Sequence, residues 1–398
     1  MPPAVQEVTL LEAQEARISR DLWITRFLYF FFYAAMGVFF AYINVYYSSI
    51  GLSGTEIGLV NTIGPLVGAF STTLWGMVSD RWGKTRLLFS LAGLGVIVSG
   101  LLLSRMLTLY GIIPVVAVYA LFNSPIIPLL DSTTLRLLGP RREEYGRTRI
   151  WGTAGFIITS STIGWVYERT GLGAIFYALA IVMAFFVLTA LGMSNQPVRP
   201  NVSPMRGMGR MVRQPSWASF AFSVLLLWLV ATGAITFVSV VLRDMGGSAR
   251  LIGLVWTVAA IFEAPVMFFS GPLLRRYGPA RLLAVAYTGY TLRIFLYGWM
   301  PAPQWALVIN LLHGLSYVPF WLGAVTYASD LAPTDLKATA QGVLMTVMNL
   351  GSVLGALLAG WMFDAYGSQG MYYRLAVISL GALGAFLLGR RLFGGRQG

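Results

Sequence analysis

The sequence predicts an all-α membrane protein with twelve transmembrane helices, and three observations support this prediction. Of the 398 residues, 57% are hydrophobic and only 11% are charged, whereas about a quarter of the residues in a soluble domain are charged. Apolar stretches of about 20 residues, each long enough to cross the hydrocarbon layer of a bilayer, recur along the whole chain. These stretches do not alternate apolar and polar residues as the strands of a membrane β-barrel do.

The twelve spans are separated by short polar or glycine-rich connections. Glycine is abundant inside the spans, as at Gly351, Gly355 and Gly360, where small residues allow helices to pack closely in lipid. The predicted spans are 22–48, 55–79, 86–104, 111–135, 149–167, 172–193, 216–242, 250–274, 280–300, 304–329, 339–363 and 371–389.

Positive charge is distributed unevenly over the predicted connections. Of the 28 Lys and Arg residues, twenty lie on one side of the membrane, in the loops and tails or at the span ends next to them; five lie correspondingly on the other side, and three lie farther inside spans. This asymmetry follows the positive-inside rule, so both termini are expected in the cytoplasm. The net charge of +13 is thereby explained without nucleic acid, and we expect a multi-pass protein of the plasma (inner) membrane.

The polar segments suggest how the chain is divided. Residues 1–21 lack the pattern of a signal peptide, so we interpret them as a cytoplasmic tail. The longest polar connection, 195–215, is rich in Pro, Gly and Arg and lies near the middle of the chain. It predicts a cytoplasmic linker between an N-terminal six-helix bundle over 22–194 and a C-terminal six-helix bundle over 216–390, with a short cytoplasmic tail over 391–398.

A short pattern occurs four times: a glycine, three residues, a charged residue, two residues and a second glycine. The first and third copies are 195 residues apart and the second and fourth are 196 apart, which indicates that the two halves are parallel repeats. Within each half the copies face opposite sides of the membrane, as in two inverted three-helix units. The copies are Gly76–Asp80–Gly83, Gly164–Glu168–Gly171, Gly271–Arg275–Gly278 and Gly360–Asp364–Gly367.

The first copy lies in the segment GMVSDRWGKTR, which resembles the signature cytoplasmic loop of the major facilitator superfamily. The matching residues are Gly76, Asp80, Arg81, Gly83 and Arg86. The resemblance implies the fold of that superfamily and a conformational gating motif in which Asp80 can pair with basic groups at a neighbouring helix end. The third copy has Arg275 in place of the acid, so we expect no equivalent latch there.

Ionisable side chains in the predicted spans are costly in a bilayer and therefore mark candidate functional sites. Asp131 at the fourth span and Arg149 at the fifth are eighteen residues apart. A guanidinium donates hydrogen bonds and a carboxylate accepts them, so together they can satisfy several hydroxyls of a polyol or glycoside. The alternatives are a purely structural ion pair between the two spans and a pair that lies at the cytoplasmic interface. We also assign Asn44 and Asn349 to the substrate site as uncharged hydrogen-bonding groups.

Three further ionisable residues lie in the later spans: Glu263, Arg293 and His313. We assign them to proton coupling, since a coupled transporter needs a group that gains and loses a proton. The alternatives are a hydrogen bond between helices for Glu263 and a structural role for His313.

Four segments, YGRTRIWGTAGF, EAPVMFFSGPLLRRYG, LHGLSYVPFW and LLAGWMFDAYGSQG, resemble the lactose-permease and phenylpropionate-permease-like branch of the superfamily. The resemblance implies that Asp131 and Arg149 hold a sugar, and that Phe156 lies where this branch has an aromatic ring stacked on the sugar. It also implies that Arg293 and His313 belong to a proton-handling group.

The sequence departs from that branch at the positions that couple transport to protons. Ser316 stands where the branch has a carboxylate, and Met348 and Asn349 stand where it has a lysine. Glu263 lies about one turn from the carboxylate of the eighth helix in that branch. The resemblance therefore supports the binding site better than the coupling group.

Composition excludes several classes of protein. One histidine and no cysteine leave no clustered metal site, and the chain has no phosphate-binding P-loop for ATP-driven transport. We predict a secondary transporter that is not an enzyme and needs no cofactor: a proton-coupled symporter importing a small polar organic solute by alternating access. Sugars or glycosides are the first choice, and nucleosides or aromatic acids come next.

The expected partners of the chain are this solute, protons and the lipid bilayer, and we expect a monomer. The alternative functions are drug/proton efflux and a non-transporting membrane receptor or scaffold on the same fold.

Overall fold

The computed structural model describes residues 3–195, 214–333 and 336–393, and all regular secondary structure in these ranges is helical. Two short 3-10 turns, Arg142–Glu144 and Asn310–Leu312, accompany the α-helices. In chain order the α-helices are α1 Pro3–Phe39, α2 Ile43–Ser49, α3 Gly54–Trp82, α4 Thr85–Leu103, α5 Leu109–Asn123, α6 Ile126–Leu138, α7 Tyr145–Thr170, α8 Ala174–Ala190, α9 Pro215–Asp244, α10 Ala249–Phe268, α11 Ser270–Trp299, α12 Trp305–Ile309, α13 His313–Leu331 and α14 Lys337–Phe393.

Nine helical segments of the described chain are long and apolar enough to cross a membrane. The last of them, Thr339–Phe393, contains two of the predicted spans. The predicted fifth and ninth spans lie in α7 and α11, which are not among the nine. The protein is thus an all-helical, multi-pass membrane protein, and the count of twelve crossings stays a prediction.

The second glycine of each repeat copy breaks a helix. Gly83, Gly171, Gly278 and Gly367 have φ angles of 59°, 83°, 70° and 67°, in the left-handed region that side chains disfavour. α3 ends directly before Gly83 and α7 directly before Gly171. α11 and α14 continue beyond their glycine after a kink. The kink at Gly367 separates the two segments predicted as the last two spans.

The predicted N-terminal tail is helical where the structure describes it. Helix α1 runs without interruption from Pro3 to Phe39, so residues 3–21 are helical and continuous with the first span. The side chain of Arg17 donates a hydrogen bond to the Asn195 carbonyl at 2.9 Å. This stretch is therefore attached to the segment that follows α8.

The chain forms two compact units. The first unit comprises Met1–Phe40, Val67–Ser160 and Gly173–Asn201, and the second comprises Ala41–Leu66, Ser161–Leu172 and Val202–Gly398. The second unit thus includes two short segments of the predicted N-terminal bundle, and the division into two six-helix bundles stays a prediction. The predicted linker falls mainly on 196–213, and the end of the predicted C-terminal tail on 394–398; both ranges lie outside the described residues.

Each unit has its own core of large side chains. The largest fully buried residues are Tyr29, Phe89, Phe176 and Phe186 in the first unit, and Tyr42, Trp217, Phe237, Tyr287, Phe320 and Tyr372 in the second.

Candidate functional site

Asp131 of α6 and Arg149 of α7 meet in the first unit. Arg149 Nη1 lies 3.3 Å from Asp131 Oδ2 and 3.5 Å from Oδ1. Both groups are partly open, with 41% of the Arg149 side chain and 29% of the Asp131 side chain exposed. The ion pair is thus only partly shielded, and both charged groups are accessible to a solute.

Three tyrosine hydroxyls complete this site. Tyr29 and Tyr145 donate hydrogen bonds to Asp131 Oδ1 at 2.5 and 2.8 Å. Arg149 donates through Nη1 to Tyr145 at 2.9 Å and through Nη2 to Tyr33 at 3.0 Å. The carboxylate and the guanidinium are therefore held by phenols as well as by each other. Hydroxyls both donate and accept, so the network offers both kinds of group to a solute.

The tyrosines were not predicted from the sequence, because tyrosine is common near the ends of membrane spans. A spacing signal does exist. Tyr29 and Tyr33 are four residues apart on α1, and Tyr145 precedes Arg149 by four residues on α7. Residues four apart lie on one face of a helix. The sequence therefore indicates a polar face on the first span, and this face could have been assigned to the same site as Asp131 and Arg149.

Close approach of α1 and α7 positions these groups. A Cβ atom at Gly152 would lie 2.7 Å from Cδ2 of Tyr33, and one at Gly155 would overlap the Phe30 carbonyl oxygen. Glycine at both positions lets the two helices touch through their backbones. The hydroxyl of Tyr33 consequently reaches Arg149.

The other residues predicted to bind substrate are divided between the units. Phe156 is half-buried on α7, in the same unit as the charged pair. Asn44 is buried in the second unit, where its Nδ2 donates to the Thr236 carbonyl at 2.9 Å and its Oδ1 accepts from Asn61 at 2.8 Å. Asn349 is exposed on α14 of the second unit. The amide of Asn44 thus connects α2 with α9 and α3, while the side chain of Asn349 is accessible.

Arg293, His313 and Glu263 meet in the second unit. Arg293 Nη1 lies 2.5 Å from His313 Nδ1 and donates to Ser316 Oγ at 3.0 Å. His313 Nε2 lies 3.7 Å from Glu263 Oε2. Arg293, His313 and Ser316 are buried, whereas 30% of the Glu263 side chain is exposed. These ionisable groups, which the sequence analysis assigns to proton coupling, thus lie close together, and Ser316 is an additional partner of the arginine.

The contacts of His313 define its tautomer. A guanidinium can only donate, so His313 Nδ1 accepts from Arg293 and the proton of the neutral ring lies on Nε2. Nε2 is the atom that faces Glu263. The histidine therefore connects an accessible carboxylate with a buried cation.

The predicted gating motif lies at the junction of α3 and α4. Asp80 is half-buried, and Arg81 and Arg86 are exposed. Among the described residues, none forms a hydrogen bond or ion pair with the side chains of these three. A Cβ atom at Gly76 would have no neighbour within 4 Å. The pairing proposed for Asp80 is thus not made in this structure.

The acid of the fourth copy caps a helix instead. Asp364 accepts hydrogen bonds from the backbone N–H groups of Gly54 at 2.6 Å and Thr55 at 2.7 Å, and from the Thr55 hydroxyl at 2.6 Å. The N-terminus of α3 thereby gains both acceptors and a negative charge, which stabilise a helix start. A Cβ atom at Gly360 would overlap the Gly54 carbonyl oxygen, so the first glycine of the copy permits this contact.

The second copy makes the corresponding contact at α10. Glu168 accepts a hydrogen bond from the backbone N–H of Arg250 at 3.2 Å and forms an ion pair with its guanidinium. That guanidinium also lies 3.6 Å from the centre of the Trp165 ring. A Cβ atom at Gly164 would lie 2.6 Å from the Ala249 carbonyl oxygen. In the second and fourth copies, therefore, the first glycine allows close approach to the start of another helix and the acid accepts hydrogen bonds from that helix start.

Comparison with known proteins agrees with this architecture. The model of the MFS_1-like family matches residues 22–374. The maltose permease of Geobacillus stearothermophilus is 29% identical over 279 residues, which are 68% of this chain and 69% of the relative. A protein of Escherichia coli (strain K12) named "Probable 3-phenylpropionic acid transporter" is 24% identical over 276 residues, 67% of this chain and 70% of the relative.

A solved structure shows the same fold. The crystal structure of the nucleoside transporter NupG has a TM-score of 0.84 and 18% identity, and the match covers 92% of this chain and 98% of that one. The fold and the relatives together define a membrane transporter, which acts on a small-molecule substrate and is not an enzyme. The chain belongs to the MFS_1-like family of major facilitator transporters.

Proposed function

We propose that this chain is a proton-coupled symporter that imports a small polar organic solute, and that Asp131 and Arg149 form the centre of the solute site. Sugars or glycosides are the first candidates, since a maltose permease is among the relatives, and nucleosides or aromatic acids come next. The network of one carboxylate, one guanidinium and three phenols carries this proposal. It offers donors and acceptors in several directions, as a polyhydroxylated solute requires.

Substitution of the two charged residues should weaken solute binding. A hydrogen bond to a charged group contributes about 1.5–3 kcal/mol, which corresponds to roughly ten- to hundredfold in affinity. Asp131→Asn removes the charge of the acceptor. Arg149→Lys keeps the charge but loses the planar fork that serves Tyr33 and Tyr145 together. We expect each variant to lose affinity by that amount.

Uptake into proteoliposomes containing the full chain tests the proposal. Labelled maltose, uridine and 3-phenylpropionate serve as probes, with an inward proton gradient as the driving force. We expect one class of probe to accumulate and both variants to bind it more weakly. Tyr110→Phe is the control, because this tyrosine is 88% exposed and lies outside the site. If both charged-residue variants bind and transport as the wild type does, the solute site is elsewhere.

An aromatic carboxylate is the second candidate, favoured by the exposure of Arg149 and by the 3-phenylpropionic acid relative. Such a solute would take the place of Asp131 on the guanidinium. Asp131→Asn would then keep or raise affinity because a competing anion is removed, whereas Arg149→Lys would still lower it. The same two variants therefore distinguish a carboxylate from a neutral sugar.

For the coupling step, we propose that Glu263 carries the proton, with His313 as the relay and Arg293 as a fixed positive charge. An apolar environment favours the neutral carboxyl, and a nearby arginine favours the carboxylate. The 3.7 Å separation of His313 and Glu263 supports this assignment. A transport cycle that moves Glu263 between the two environments would bind and release one proton.

We further propose a monomer of the inner membrane with cytoplasmic termini and two six-helix halves, 22–194 and 216–390, joined by the linker 195–215. The asymmetry of positive charge supports this orientation. With this topology Glu168 and Asp364 lie at the external ends of their helices and Asp80 at a cytoplasmic end.

A further inference from the structure

A pocket of about 150 Å³ lies at one end of the second unit, outside both clusters described above. It is bounded by the start of α9 and the ends of α13 and α14, and each of these helices is long and apolar enough to cross a membrane. Because it lies at the ends of such helices, we expect the pocket near the level where a bilayer changes from hydrocarbon to headgroups. Its lining residues are Ser216, Ser219, Phe220, Tyr327, Leu331, Phe386, Gly389, Arg390 and Phe393.

The polar groups of this pocket have no hydrogen-bond or ion-pair partner in the described part of the chain, although Tyr327 lies near the charges of Arg390 and Asp330. No hydrogen bond or ion pair there reaches the hydroxyls of Ser216, Ser219 and Tyr327 or the guanidinium of Arg390. The first turn of α9 also lacks a side-chain cap, since Gln214 makes no such bond. Backbone N–H groups at an uncapped helix start attract anions. The pocket thus combines a cation, three hydroxyls and a helix start, all available to a ligand.

The surrounding charge favours an anion. Arg390 is followed by Arg391 in the last turn of α14. Asp330 is the opposing charge near Tyr327, and it is exposed to solvent. Positive charge therefore predominates around the opening of the pocket.

The remaining walls of the pocket are apolar. Phe220, Leu331, Phe386 and Phe393 contribute them. A free inorganic ion gains nothing from such walls, whereas the glycerol and upper acyl carbons of a phospholipid would be buried against them. Tyrosine and arginine at a helix end are also typical of residues at the headgroup level.

We propose that this pocket is a specific site for the phosphate group of an anionic phospholipid of the cytoplasmic leaflet. Arg390 supplies the charge, Tyr327 and the two serines donate hydrogen bonds, and the apolar walls receive the carbons next to the phosphate. The site is independent of solute transport and rests only on the orientation proposed above.

Lipid titration of the purified full chain tests this proposal. The apparent melting temperature is followed in a neutral detergent while phosphatidylglycerol or phosphatidylcholine is added. A ligand that binds only the folded state raises this temperature by mass action. We expect phosphatidylglycerol to stabilise the wild type much more than phosphatidylcholine does. Arg390→Gln should lower the apparent affinity for phosphatidylglycerol about tenfold or more, and Tyr327→Phe should lower it severalfold.

Arg391→Gln is the matched control, because Arg391 occupies the same helix end but does not line the pocket. It should change the affinity less than twofold. Equal losses of affinity for phosphatidylglycerol in the Arg390 and Arg391 variants would overturn the proposal, because they would show attraction by surface charge and no specific binding in the pocket. Equal stabilisation by inorganic phosphate would assign a free ion instead of a lipid. If Arg390→Gln does not fold, Tyr327→Phe decides, and an unchanged affinity for phosphatidylglycerol in that variant overturns the site.

Discussion

At the level of single residues, the cluster of Glu263, His313 and Arg293 makes the sharpest prediction about energy coupling. Glu263→Gln removes the only carboxylate within 4 Å of His313 among the described residues, while glutamine keeps the size of the side chain. We expect the variant to lose uphill accumulation driven by a proton gradient, because no group at this position can exchange a proton. Solute binding and downhill exchange should persist, since they need no net proton transfer.

Accumulation and counterflow measured in the same proteoliposomes separate these effects. Accumulation that survives Glu263→Gln would exclude Glu263 as the proton carrier. Wild-type transport that does not respond to an imposed pH gradient would indicate a uniporter or another coupling ion.

The residues of the candidate site show what sequence alone can predict. Asp131 and Arg149 were predicted because a charge in an apolar span is costly and therefore conspicuous. Tyr29 and Tyr33 were missed because a tyrosine in a span carries no such cost. Asn44 was predicted as a ligand from its polarity alone, and only the structure shows that both ends of its amide are used by other parts of the protein.

At the level of helices, the four repeat copies share a backbone break but differ in their contacts. Asp364 makes three hydrogen bonds at the start of α3, while Asp80, at the same position of its copy, makes none with the described residues. Loss of an N-terminal cap costs about 0.5–2 kcal/mol. We expect Asp364→Ala to lower the melting temperature of the purified protein and Asp80→Ala to leave it unchanged.

These two substitutions distinguish the effect of losing the helix cap, which only Asp364 provides, from the effect of losing the charge of the repeat pattern, which both residues carry. An equal effect of both substitutions would mean that the charge of the motif matters for stability and that the cap at α3 does not. The pattern itself could be recognised in the sequence. Which copies form a helix-cap contact depends on whether another helix begins next to the acid, and spacing along the chain does not predict this.

The contact of Glu168 adds a prediction about pH. Although desolvation by its neighbours raises its pKa, the Arg250 backbone N–H, the Ser248 hydroxyl and the Arg250 charge lower it by more, so the pKa of this exposed carboxyl lies below its ordinary value. A carboxyl with a lowered folded pKa contributes stability above its unfolded pKa and loses that contribution as the pH falls through the folded value.

Melting temperatures across pH test this sign. The difference between the wild type and Glu168→Gln should be constant from pH 7 to pH 5 and should vanish well below about pH 4. Glu143→Gln, at an exposed position, is the control and should show no difference. If the difference in melting temperature between the wild type and Glu168→Gln increased as the pH fell, the lowered pKa of Glu168 would be contradicted.

At the level of the whole molecule, the orientation in the membrane decides which ends of the helices meet the cytoplasm. The chain has no cysteine, so single cysteines can be introduced without a background. Gly246 would be a natural external position, but its φ of 82° disfavours a side chain. Asp244, exposed at the end of α9, avoids that strain. Gly207 in the predicted linker is the cytoplasmic counterpart.

A membrane-impermeant maleimide applied to intact cells should label Asp244→Cys and should leave Gly207→Cys unlabelled until the cells are permeabilised. The physical reason is the distribution of Lys and Arg, twenty on one side and five on the other, because positively charged loops are retained in the cytoplasm. Labelling of Gly207→Cys from outside would reverse the orientation. Glu168 and Asp364 would then cap helices on the cytoplasmic side, and the phospholipid pocket at α9 and α14 would face the external leaflet.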